Sequence, residues 1–240
     1  MRRSFSQLVG RIKEACQRHR YEYQLLGYVG PYKEFELSRV ITPETYEKTV
    51  AVIAGVHGDE PAPIEAAVQF LEEGIVSEGV RILLYPCLNP WGYVHNNRRN
   101  HAGKDLNRTR SLQLEPEQSL FFISLLNERL DFFLSMHEDW WSNKVYAFAF
   151  GEQHSDLYSR ILSAAGKHMP LHKGNTIDGI EARNGLVMDQ SDSSLEDIVS
   201  RTGIPSMCSE TGKRAEFEQR VNANKAMISV FLDKKGIVIS

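Results

Sequence analysis

His57 and Glu60 lie three residues apart in Gly55-Val56-His57-Gly58-Asp59-Glu60. An imidazole and a carboxylate at that spacing converge on one cation if the turn between them is tight, and Gly58 removes a Cβ at that turn. Zinc accepts both donor types, and its catalytic sites take three protein ligands plus water. Alone, the pair is also what a helix-start acid beside a solvated imidazole looks like, so a third ligand is required. His137 directly follows the apolar run Phe132-Phe133-Leu134-Ser135-Met136. A water activated by a metal also needs a base to take its proton. Glu210, just after Ser206-Met207-Cys208, stands in a position to serve. Arg98, Arg99, Asn107 and Arg108 offer planar forks and amides suited to a carboxylate or an oxyanion.

The elements that must position these residues are legible in the apolar pattern. Lys48–Val56 is continuously apolar, as expected of a strand buried on both faces. Val80–Pro86, Asp131–Met136 and Val145–Phe150 read as further buried strands, and Ser206–Cys208 as a short one. In open α/β sheets ligands bind at the carboxyl edge of the strands, and His57, His137 and Glu210 all fall where predicted strands end. Helical spacing predicts helices over 5–19, 63–73, 117–130, 155–168, 195–202 and 216–234. Residues 21–41 suggest strands joined by turns. Asn89–Arg110 reads as a long polar loop of the kind that carries function, and 173–194 as irregular. The alternation predicts one α/β domain over 1–240, with a largely parallel or mixed sheet.

Composition excludes several classes. The chain has 240 residues, 28 Lys plus Arg against 31 Asp plus Glu, and a net charge of −3, which gives no support to nucleic acid or an anionic membrane as partner. Hydrophobic residues at 42% and charged residues at 25% are ordinary globular usage. Cys16, Cys87 and Cys208 are too few and too far apart for a disulfide framework, so reduced structural thiols are expected. Neither a secretory signal nor a transmembrane run is apparent, and a cytoplasmic location is the expectation.

Taken in order, the segments Gly55–Glu60, Asn89-Pro90-Trp91-Gly92-Tyr93, Arg98–Arg108 with Asp105-Leu106-Asn107-Arg108, His137 and Ser209-Glu210-Thr211-Gly212 span residues 50–212. The sequence resembles the zinc carboxypeptidase family, which shares its fold with the succinylglutamate desuccinylase and aspartoacylase group. The resemblance implies a central mixed sheet of about eight strands between helices. It implies that His57, Glu60 and His137 hold one zinc ion and that Glu210 is the general base and proton shuttle. Arg98 matches the arginine that polarises the scissile carbonyl, with Arg99 as the competing choice. Asn107 and Arg108 match the pair that grips a substrate carboxylate.

The implied activity is hydrolysis of a C-terminal peptide bond on a small peptide. Deacylation of an N-acyl amino acid, or zinc binding without turnover in a regulatory protein, are the alternatives. Peptidases of this family place a capping Tyr on a loop before the catalytic Glu, but 173–205 contains none. His137-Glu138-Asp139-Trp140-Trp141 suggests that Glu138 or Asp139 orients a ligand and that the two Trp wall the pocket.

Overall fold

The computed structural model describes residues 3–42, 46–74, 79–108, 113–151, 155–188 and 191–232. The chain opens with α1 (Phe5–His19), the hairpin β1 (Glu22–Val29) and β2 (Phe35–Ile41), then β3 (Tyr46–Ala54), α2 (Pro61–Glu73) and β4 (Gly79–Tyr85). There follow α3 (Pro90–His95), α4 (Pro116–Leu125), β5 (Phe132–Asp139), β6 (Val145–Phe150) and α5 (Ser155–Ala165). The small pair β7 (Thr176–Ile177) and β8 (Ile180–Glu181) leads to β9 (Leu186–Met188), α6 (Leu195–Ser200), β10 (Ser206–Gly212) and α7 (Phe217–Ser229), which ends in a 3-10 turn.

Eight strands form one mixed sheet in the order β1-β2-β4-β3-β5-β10-β6-β9. Its middle, β4-β3-β5-β10, is parallel throughout, and the antiparallel pairs lie toward the edges. Successive side chains of a strand face opposite sides, and β3 shows the result. Val50, Val52 and Ala54 enter a core under α1, α2, α5 and α7, whereas Ala51 and Ile53 enter a second core under α4 and α6. Continuous apolarity in the sequence therefore reports a strand covered on both faces. All three cysteines are buried and unpaired. No described helix is long and apolar enough to cross a membrane.

Several boundaries differ from the sequence reading. The expected loop 89–110 holds a short helix: Asn89 caps α3 by accepting from the Gly92 N–H at 2.9 Å, and Pro90 opens the first turn. Six residues are too few for periodicity to register. Residues 109–110 of that loop, and 233–234 of the expected closing helix, lie outside the described residues. The helix expected to reach residue 130 ends at Leu125, and 173–194, expected to be irregular, contains β7 to β9. Strands of two or three residues leave no alternation to detect. More consequential for function, β5 continues through His137 to Asp139 and β10 through Glu210 to Gly212. Both residues lie inside strands rather than after them. Their backbones still pair, and a polar side chain that faces a cavity does not end a strand.

The turn after β3 is packed against α3 with no room for a side chain. A Cβ on Gly58 would stand 1.9 Å from the Gly92 carbonyl carbon, which is backbone and cannot swing away. Gly58→Ala is therefore expected to destabilise the fold by about 1–3 kcal/mol and lower the melting temperature. An unchanged thermal transition would show that α3 does not hold this turn.

Candidate metal centre

The parallel strands bring the distant residues together. β5 and β10 place His137 and Glu210 in direct register, and β3 lies on the other side of β5. His57 and Glu60 sit on the turn that follows β3, with the Glu60 N–H donating to the His57 carbonyl at 3.3 Å. Strand parity puts Ser135 and His137 on the α4/α6 side, the side that Phe133 enters.

Three side chains converge there. His57 Nδ1 lies 2.7 Å from Glu60 Oε1, His137 Nδ1 lies 3.0 Å from Glu60 Oε2, and the two Nδ1 atoms are 3.1 Å apart. Two ligands on one tetrahedral zinc at 2.0–2.1 Å are themselves about 3.3 Å apart, so this donor set fits such an ion. All three residues are at most 2% exposed. His57 turns its Nε2 to Asp105 Oδ1 at 3.0 Å. Donation from Nε2 fixes the tautomer that leaves Nδ1 free for a cation.

A cavity of about 450 Å³ opens on this cluster, lined among others by His57, Arg98, Asn107, Arg108 and Glu210. One Glu210 carboxylate oxygen is buried with no hydrogen-bond partner among the described residues. Arg98 bonds Asp105 Oδ2 at 3.1 Å and brings a second nitrogen within 3.5 Å of Glu60. Its backbone is held by Asn89, whose side-chain amide donates to the Arg98 carbonyl at 3.2 Å. Arg99 is not on the cavity; its guanidinium donates to the Gly103 carbonyl at 3.0 Å. Arg98, and not the competing Arg99, is therefore the arginine the fold brings to the cluster. Arg108 is partly exposed and 3.4 Å from Asp192. The Asn107 oxygen already accepts from the Leu195 N–H at 3.0 Å, which leaves its amide N–H groups to donate.

The expectation for Glu138 and Asp139 is corrected. Glu138 accepts from the Ala62 N–H at 3.1 Å and pairs with Arg220, tying α2 and α7 to β5. Asp139 accepts from the Tyr146 hydroxyl at 3.0 Å and the Trp141 N–H at 2.9 Å. Neither bonds a candidate ligand, and Asp105 orients His57 instead. Trp140 and Trp141 do line the cavity. The sequence reading missed Tyr146 in the cavity wall and Glu196 beside His137. For Tyr146 no local signal exists, since its place follows only from β6 pairing with β10.

The electrostatics is that of acids sharing buried imidazoles. Burial would raise the Glu60 carboxyl, but His57 and His137 outweigh it and hold it well below the usual range. Burial also opposes ionisation of Asp105, and His57 and Arg98 hold that acid low. Burial would lower His137, yet Glu60 and Glu196 hold it well above the ordinary imidazole value. Glu210 is pushed up to about 8, by burial first, against His137, with Glu60 and Asp139 adding to the rise. Such a cluster attracts positive charge.

The model of the succinylglutamate desuccinylase/aspartoacylase catalytic domain matches residues 46–232. No curated protein matches the sequence. Among solved structures, a candidate metallopeptidase of Shewanella denitrificans OS217 is similar, at 25% identity and a TM-score of 0.82, over 94% of this chain and 88% of that one. A metallo-carboxypeptidase of Burkholderia cenocepacia superposes at a TM-score of 0.71 and 19% identity over 95% of this chain and 68% of that one. Carboxypeptidase A of Helicoverpa armigera does so at 0.72 and 13% over 95% and 72%. The last two likenesses concern the fold alone.

Proposed function

This chain belongs to the succinylglutamate desuccinylase/aspartoacylase catalytic domain family, and from that premise we propose that it is a zinc-dependent hydrolase cleaving an amide bond next to a free carboxylate. The observation that carries the proposal is the convergence of His57 Nδ1, His137 Nδ1 and the Glu60 carboxylate at one end of a cavity that Arg98, Arg108 and Glu210 also line. When bound, the ion would polarise the substrate carbonyl and bring the pKa of a water near about 7.

The protein's own groups do the rest. Glu210 takes the proton of the attacking water and passes it to the leaving amine. One of its oxygens has no hydrogen-bond partner among the described residues and so can accept that proton. Arg98, braced by Asp105, donates to the carbonyl oxygen as negative charge develops there. Arg108, with the Asn107 amide, holds the substrate carboxylate. Arg98→Ala is expected to lower kcat by about 10²–10³-fold with little change in metal content. A kcat within a factor of two of wild type would remove Arg98 from the mechanism.

Within this chemistry we favour carboxypeptidase activity. Trp140 and Trp141 are 55% and 79% exposed, so the cavity's mouth is an open aromatic rim on which a longer peptide can lie. The family match itself favours the second reading, deacylation of N-acyl amino acids. Side-by-side assays on peptides with free C-termini and on N-succinyl and N-acetyl amino acids separate them. Faster turnover of peptides is expected; turnover of the acyl amino acids alone would establish the second reading, and turnover of neither would leave a zinc-binding protein without catalysis. Three unpaired buried thiols suit a reducing compartment, and we place the protein in the cytoplasm.

A further inference from the structure

His57 has a carboxylate behind it, and His137 needs one for the same reason. Both imidazoles direct Nδ1 at the cluster, so both must carry their proton on Nε2 if Nδ1 is to bind a cation. Three groups surround His137 Nε2: Ser135 Oγ at 2.9 Å, Asn107 Nδ2 at 3.5 Å and Glu196 Oε1 at 3.5 Å. They differ in what they can offer. A hydroxyl donates or accepts, and so decides nothing. The Asn107 amide is pinned by the Leu195 N–H on its oxygen, which leaves only a donor facing the ring. A donor there favours the wrong tautomer, with the proton on Nδ1. Glu196 alone is an obligate acceptor.

Glu196 is also costly to keep where it is. It is fully buried, both of its oxygens have no hydrogen-bond partner among the described residues, and the proposed reaction does not use it. It comes from α6, whose Leu195 and Val199 pack into the core under that face and hold the helix over β5. A buried carboxylate that faces an imidazole yet makes no hydrogen bond is costly to keep, so its place 3.5 Å from the ring nitrogen asks for a compensating role.

We propose that Glu196 is a positioning residue for the metal centre: it accepts the Nε2 proton of His137 and thereby fixes the tautomer and orientation in which Nδ1 binds the cation. It would then do for His137 what Asp105 does for His57, although the two acids lie in different segments on different elements. The inference rests on the metal-centre reading above.

The test is a zinc titration with a competing chelator indicator, run on the full-length wild type and on Glu196→Gln, Glu196→Asp and Ser135→Ala. The cobalt-loaded spectrum of each and the thermal transition of each metal-free protein are read alongside. Glu196→Gln is expected to weaken zinc binding by about 10–100-fold, to shift the cobalt absorption, and to leave the melting temperature of the metal-free protein equal or higher. Glu196→Asp keeps the charge and should recover part of the affinity; Ser135→Ala should weaken it less than Glu196→Gln. A purely structural Glu196 would lower the metal-free melting temperature and leave affinity unchanged in every folded variant, and that result overturns the inference. Failure of the wild type to bind stoichiometric zinc would instead overturn the metal-centre reading itself.

Discussion

Glu210→Gln is expected to lower kcat by about 10²–10⁴-fold, the usual contribution of a positioned general base, while the chain still binds one equivalent of zinc. The substitution keeps shape and removes the ability to take a proton. It should not unfold the protein. One Glu210 oxygen already lacks a partner among the described residues, so an amide of the same shape breaks no hydrogen bond at that atom. Glu210 sits in register with His137 on the neighbouring strand, close enough to serve the cluster, yet it makes no hydrogen bond to any of the three candidate ligands in the structure. Metal content and catalysis are therefore separable at this position. Retained turnover on the best substrate, with zinc bound, would reject Glu210 as the base.

Removing the cation is the other large effect. A chelator applied to the wild type, or His57→Ala, should bring turnover down by about 10³-fold or more, since polarisation by the ion is worth several kcal/mol at 1.36 kcal/mol per decade. The same treatment should be visible without any substrate. At free zinc about 1,000 times its dissociation constant, binding stabilises the native state by about 4 kcal/mol. In a chain of this size each kcal/mol moves the melting temperature by about 2–4 °C, so wild type should melt some 8–16 °C higher with zinc than after chelation. His57→Ala should lose that zinc-dependent increment, because two of the three donors cannot close the site. A wild type whose melting temperature ignores zinc, with turnover that survives the chelator, would mean that these imidazoles and this carboxylate meet for another purpose.

The sequence by itself determined the identity of the converging donors and the class of fold. His57 and Glu60 share one tight turn, so their meeting is a local property written in spacing, and Gly58 marks how closely that turn is packed. The two-faced burial of β3 and β5 is written in runs of apolar residues, because a strand covered on both sides has no solvent face to alternate with. The ordered motifs then linked the turn to His137 and Glu210 across most of the chain. What polar residues hid was where β5 and β10 end, since pairing of the backbone does not depend on the side chain above it.

Only the tertiary structure placed Arg98 and not Arg99 on the cavity, set Asp105 rather than Glu138 or Asp139 against His57, and brought Tyr146 and Glu196 to the site. Neighbouring arginines in a loop differ in which way the backbone turns them, and the Asn89 contact that aims Arg98 forms only once α3 has folded. Glu196 reaches His137 because α6 is packed on the face of β5 that Phe133 enters. Contacts of that kind depend on which elements stack on which side of the sheet, and linear spacing carries no record of it.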